Sequence, residues 1–297
     1  MNQSLTRQFF RFTIPTILSM VAFSLYTLVD GIFVAKGVGE TALAAVNLSS
    51  PYNSVMFAAG LLLAVGMSTT IAIRLGNGKH HEASSLFTRN LIVAVVVSIV
   101  ISVLTLLNLR SVAQFLGAEG DTLGYVMEYV GGVSPFAVFF ICSYNMEILV
   151  KTDGTPLLST IGVSLAGVTN LVLDWLFVMI FHWGVRGAAV ATGLAQVVST
   201  VLYLYYFAKR SKQLHFVKVS LKPSEFKIYR RTLPLGVADS ITEMSNGVVL
   251  FAFNQTILRL IGESGVVSYT VIGYVNTLVL MVMSGIAQGI QPISSFY

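Results

Sequence analysis

Eight runs of mostly apolar residues leave few folds open to this chain: roughly 10–35, 49–73, 90–109, 126–149, 157–181, 187–208, 233–258 and 266–290. A helix needs about 20 such residues to cross the hydrocarbon core of a bilayer. Hydrocarbon offers no partner to a backbone N–H or C=O, so a spanning segment must satisfy its own, and a helix does so within one stretch. The predicted fold class is therefore all-α, a polytopic helical membrane protein. The first run starts near Phe9 and has no small-residue cleavage site, so it reads as a span rather than a cleaved signal peptide.

Charge agrees with this reading. Only 10% of residues are charged and 55% are hydrophobic, against about 25% charged in a soluble chain. The net charge of +5 does not point to nucleic acid, because the basic residues lie in short connections beside the apolar runs. With the N-terminus inside, fourteen of the 18 Lys and Arg fall on the inner side. That bias orients the chain by the positive-inside rule, with 209–231 as a basic cytoplasmic linker and the protein as a multi-pass component of the cytoplasmic (inner) membrane. The one cysteine, Cys142, excludes a disulfide framework. No HExxH, GxSxG or phosphate-binding loop occurs, so the sequence does not read as an enzyme, and no cofactor is implied.

The polar residues inside the apolar runs carry the functional signal. Asn170 and Asp174 are four apart and share one face of span five. Asp30 interrupts span one, and Thr192 opens span six. The topology puts all four in the outer half of the bilayer. A bond to its own helix backbone accounts for Thr192 alone, whereas an intramembrane carboxylate is costly and marks an ion or substrate path. Two carboxylates, an amide and a hydroxyl make an oxygen cage for Na⁺ or a proton-binding pair; no other metal is implied. Asp239 and Glu243, also four apart, fall in the cytoplasmic half of span seven. There they either line a cavity between lobes or, for Asp239, sit solvated at the interface.

A weak internal repeat sets the domain organisation. RFTIPTILS (11–19) is similar to RRTLPLGVA (230–238), and VGETALAAV (38–46) to IGESGVVSY (261–269); Gly66 falls opposite Gly289. One repeat then holds six spans, so two repeats share one orientation and are related by an axis along the membrane normal. The expected organisation is a complete six-helix lobe (1–208), the linker (209–231) and the first two helices of a second lobe (232–297). A complete second repeat needs four more helices and a chain of about 440 residues. The acids are not duplicated: Val249 or Phe253 stands opposite Asp30.

At these residues the chain resembles the multidrug and toxic compound extrusion (MATE) family. The stretches that carry the resemblance are TLVDGIFVAKGVGETALAAVNL (27–48), VKTDGTP (150–156), NLVLDWLFVMIFHWGVRGAAVATGLAQ (170–196) and QGIQPISSFY (288–297). The resemblance implies two six-helix lobes that export small organic, cationic or amphiphilic substrates, as a monomer, driven by a Na⁺ or H⁺ gradient. It implies that Asp30, Asn170, Asp174 and Thr192 bind the coupling cation. The competing reading within the superfamily is a flippase for lipid-linked oligosaccharides, for which a more cationic central cavity is expected than spans without deep Lys or Arg provide.

The charge bias makes a direct prediction. A cysteine placed at Lys79 is expected to resist an impermeant thiol reagent in intact cells, and one placed at Glu119 to react. The reverse pattern overturns the orientation.

Overall fold

The computed structural model describes residues 14, 17, 21, 28–220 and 222–296; most of the predicted first span, with Pro15, lies outside them. Residues 28–37 form the helix α1. There follow α2 (Glu40–Gly76), α3 (His80–Leu107), the short α4 (Leu109–Phe115), α5 (Gly120–Val133), α6 (Ala137–Thr152), α7 (Pro156–Asp174), α8 (Gly184–Lys209), α9 (Tyr229–Leu260) and α10 (Glu263–Phe296). No strand occurs among the described residues.

Six of the described helices are long and apolar enough to span a membrane, with α5 and α6 counted as one through the 3-10 turn Ser134–Phe136. The predicted seventh span, α9, is 32 residues long but less apolar than the others and is not among the six. Asp239, Thr242, Glu243, Asn246 and Asn254 dilute it.

Helix ends depart from the hydropathy boundaries for local reasons. Span two begins at Glu40 rather than near 49, because ETALAAVNL holds strong helix formers and an acid in the first turn favours the positive helix start. Gly39 just before it has φ 130°, and Gly262 just before α10 has φ 88°. Both turns need a residue without Cβ, so the two Gly-Glu pairs matched in the sequence occupy equivalent helix starts. Span three begins at His80, which moves Arg89 out of the predicted loop and into a helix, where it is buried.

α2 is the central element, packed against α3, α5, α6, α9 and α10. Small polar residues stitch the helices together, as expected where lipid supplies no hydrophobic drive between them. Asn90 Nδ2 donates to Asn145 Oδ1 at 3.1 Å between α3 and α6. Ser143 Oγ donates to Gln196 Oε1 at 2.7 Å between α6 and α8. Ser199 Oγ donates to the Gly162 carbonyl at 2.9 Å between α8 and α7. Each such bond contributes about 0.6–2 kcal/mol.

The α2–α9 contact runs nearly the full length of both helices on small residues. A Cβ at Gly66 would collide with the Thr232 carbonyl, and one at Gly236 with the Leu62 carbonyl. Ser240 Oγ donates to the Ala58 carbonyl at 3.0 Å, and Asn254 Nδ2 to Asn47 Oδ1 at 2.8 Å.

After α8 the chain is clasped by one carboxylate. Asp153, in the turn of VKTDGTP, is wholly buried. Its Oδ2 accepts from Tyr206 Oη at 2.6 Å, Ser211 Oγ at 3.0 Å and the Lys212 N–H at 2.9 Å. Its Oδ1 accepts from the N–H groups of Gln213 and Leu214 at 2.9 and 2.8 Å. Five donors on one buried charge make this the best-satisfied ionisable group described. Asp153→Asn turns an amide N–H₂ toward backbone donors and removes the charge that strengthens the remaining bonds, a loss of about 3 kcal/mol. The expected result is roughly a hundredfold faster hydrogen exchange at the amides of Lys212, Gln213 and Leu214, with overall helical content retained. Unchanged exchange there refutes the clasp.

Candidate cation site

Three helices bring the predicted polar residues together. α1 runs to residue 37, α7 ends at Asp174 and continues to Ile180, and α8 opens at Gly184. Asp30, Asp174 and Thr192 therefore all sit about two helical turns from this end of the bundle. The carboxyl groups of Asp30 and Asp174 lie within hydrogen-bonding reach of each other. Asn170 reaches Asp174, and its Nδ2 donates to Thr192 Oγ1 at 3.4 Å. Thr192 in turn donates to the Ala188 carbonyl at 2.9 Å, the bond to its own helix expected of a buried threonine.

The helix that carries Asn170 and Asp174 changes character there. Directly after Asp174, residues Trp175–Ile180 form a π-helical segment, in which the Phe181 N–H bonds to the Leu176 carbonyl at 2.9 Å. π-segments interrupt the regular ladder and concentrate at functional sites. Val178 of this segment abuts Gly37 at the end of α1, where a larger residue would collide. Nothing in the hydropathy of WLFVMI signals the change of helix type.

Two further side chains complete the surroundings. Tyr129 on α5 lies beside Asn53 on α2 and Thr192 on α8. In the sequence Asn53 is a lone amide in an apolar run, whereas nothing sets Tyr129 apart from eleven other tyrosines. From the second lobe, Tyr274 on α10 packs its phenol against Gly31, next to Asp30.

Asp174 is wholly buried and Asn170 is 5% exposed. Both carboxylate oxygens of Asp174, one of Asp30 and the Asn53 amide oxygen are buried and accept no hydrogen bond, although Asn170 and Tyr129 lie close by. A cluster of acceptors left unbonded is the arrangement a cation or a shared proton satisfies. Oxygen ligands of this kind suit a light cation such as Na⁺. No group of three His, Cys, Asp or Glu side chains able to hold a metal ion occurs among the described residues.

The acids of α9 lie elsewhere. Asp239 is exposed. Glu243 is half-buried, with Ser54 of α2 within hydrogen-bonding reach and Tyr144 of α6 nearby. Of these two acids, Glu243 is therefore the one that faces the first lobe.

Fold and site together define a multi-pass helical membrane protein built around a buried carboxylate pair. The MatE family model matches residues 15–176, more than half the chain, and the chain belongs to that family. It is 22% identical over 295 residues to the multidrug export protein MepA of Staphylococcus saprophyticus, covering 99% of this chain and 65% of that protein. Two solved structures share the fold at 26% identity. One is the MATE multidrug transporter DinF-BH with a bound ligand, with a TM-score of 0.83 over 98% of this chain and 65% of that one. The other is an inward-facing MATE family transporter of the MOP superfamily, with a TM-score of 0.82 over 92% and 63%. The chain thus spans about two thirds of the length of the relatives it matches.

Proposed function

We infer that this chain carries the cation-coupled lobe of an exporter that moves small organic, cationic or amphiphilic compounds across the cytoplasmic membrane in exchange for Na⁺ or H⁺. The observation that carries the reading is the cluster of buried oxygens on Asp30, Asp174 and Asn53 that accept no hydrogen bond. A carboxylate pair without a compensating positive group costs several kcal/mol in a dry interior. A protein that keeps such a pair gains a site whose charge changes when the cation leaves. Family membership and the multidrug names of the relatives support export as the use of that site. Export rather than catalysis is also what the residues suit, since the site offers no nucleophile with an adjacent base.

In this reading residues 1–208 form the cation-binding lobe, 209–231 the cytoplasmic linker, and 232–297 the start of the opposing lobe. The N-terminus is cytoplasmic, which puts the pair in the outer half of the bilayer. Tyr274, seated beside Asp30, is where the opposing lobe senses the occupied or empty site. The substrate path between the lobes passes Glu243 rather than the exposed Asp239.

Trp175 directly follows Asp174, and the only other tryptophan is Trp183, nine residues from the pair in sequence. Tryptophan fluorescence is therefore a local reporter. In the purified chain we expect Na⁺, against a K⁺ control, or acidification to change that fluorescence saturably. Asp30→Asn and Asp174→Asn each remove a formal charge at nearly constant volume and are expected to weaken the response about a hundredfold, on the scale of a close charge–charge contact. Thr192→Ala removes one neutral ligand and is expected to cost about tenfold or less; Asp239→Asn is expected to cost nothing. A full response in both the Asp30 and Asp174 variants, at matched folding, moves the coupling site elsewhere. Dye efflux from vesicles, with each gradient imposed in turn, then separates Na⁺ from H⁺ coupling.

A further inference from the structure

At the opposite end of the bundle from the carboxylate pair, the start of α3 and the start of α9 enclose a second polar cavity, of about 520 Å³. Arg74 from α2, Arg89 from α3, Lys227 from the turn before α9 and Arg231 from α9 line it, with Ser85 and Ser224 as hydroxyl donors. Two carboxylates share the wall, and both are engaged. Glu82 pairs with Arg74 and, at 3.1 Å, with Lys79. Glu225 pairs with Arg89 at 2.8 Å. Among the described residues Lys227 and Arg231 have no acidic partner.

Arg89 is the unusual member. It is 5% exposed and lies well inside α3, more than two turns from the helix start at His80. Nη2 meets Glu225 Oε2, and Nη1 lies 3.4 Å from the Glu225 carbonyl. Nε is buried and has no acceptor. That Nε is shut off from solvent, so what Arg89 gives the cavity is its charge rather than a free donor. An ion-pair network confined to the protein accounts for Arg74 and for one edge of Arg89. It leaves the charges of Lys227 and Arg231 without a counter-charge in the same cavity wall.

We propose that this cavity binds a phosphate group, supplied by the headgroup of an anionic phospholipid in the adjacent leaflet. Phosphate offers several acceptor oxygens and a charge that two spare cations, beside the charge of Arg89, can match. The setting favours lipid as the source. The cavity opens where α2 ends and α3 begins, at the mouth of the apolar spans, with Leu86 in its wall and the apolar Ile73 of α2, next to Arg74, 58% exposed. Basic clusters at such a boundary gain about fivefold in affinity for anionic lipid per Lys or Arg. A bound phosphate would join α2 and α3 of the first lobe to the start of α9, and so brace the joint between the lobes.

The test is native mass spectrometry of the full chain in mild detergent, titrated with phosphatidylglycerol, phosphatidylcholine or inorganic phosphate. The wild-type chain is expected to retain one phosphatidylglycerol and to show no comparable retention of phosphatidylcholine. Lys227→Gln combined with Arg231→Gln changes only exposed residues without an acidic partner in the fold, and is expected to weaken phosphatidylglycerol retention roughly 25-fold. Arg89→Gln removes one positive charge from the cavity wall and is expected to weaken it roughly fivefold, with thermal stability of the lipid-free chain checking that the fold persists. Phosphatidylglycerol that survives millimolar inorganic phosphate supports the lipid as occupant. Its displacement at that level keeps the phosphate site and overturns the lipid source. Equal retention of both lipids, no retention of either lipid or phosphate, or retention unchanged in the Lys227/Arg231 variant overturns the proposal.

Discussion

A bilayer withholds hydrogen-bond partners, and that constraint accounts for most of this structure. Backbones must close on themselves, so the chain is helical. Side-chain amides and hydroxyls must find each other across helix boundaries, which is why Asn90 meets Asn145 and Ser143 meets Gln196. The same rule sorts the buried acids. Asp153 is surrounded by five donors and is therefore a fastener. Asp174 is equally buried, and neither of its oxygens accepts a hydrogen bond. Two carboxylates with the same burial thus have opposite surroundings, and only the unsatisfied one has something left to bind.

How much of this is legible in the sequence follows from the range of each interaction. Hydropathy is local, so the apolar runs mark the spans. Depth is also local once topology is known, so the distances of Asp30, Asp174 and Thr192 to their span ends already put them near one another. Partner identity is not local. Nothing near VKTDGTP in the sequence reveals that Asp153 collects the Lys212, Gln213 and Leu214 amides from about sixty residues away. Tyr129 is equally hidden, because its role depends on α5 packing between α2 and α8. Arg89 reads as a loop residue because hydropathy averaging pulls a span's start inward past charged residues that a helix can carry at its end.

The π-segment after Asp174 shows a second limit. A π-turn widens the helix by one residue and shifts the register of everything beyond it. Its cause lies in packing: Val178 must clear Gly37, and Phe177 stacks on Trp183 with ring centroids 4.7 Å apart. Register shifts of this kind are set by neighbours rather than by the residues of WLFVMI. The segment begins at the residue immediately after the acid, so the register it shifts is that of Trp175–Ile180 and the turn into α8.

The two ends of the bundle are built for different tasks. At the linker end, Asp153 pins residues 211–214, Arg89 pins Glu225, and Gly66 and Gly236 bring the α2 and α9 backbones into direct contact. These restraints act in series along the same stretch of chain, so α9 cannot swing away from α2 there without breaking several of them at once. At the far end α9 is held by the Asn254–Asn47 bond, by Gln255 Nε2 donating to the Phe115 carbonyl at 3.4 Å, and by Phe251 stacked on Phe115 at 5.1 Å between centroids. The Asp30–Asp174 pair lies toward that far end, with Tyr274 of α10 against Gly31. The pair and the basic cavity thus lie at opposite ends of α2, and α9 runs along that helix between the two.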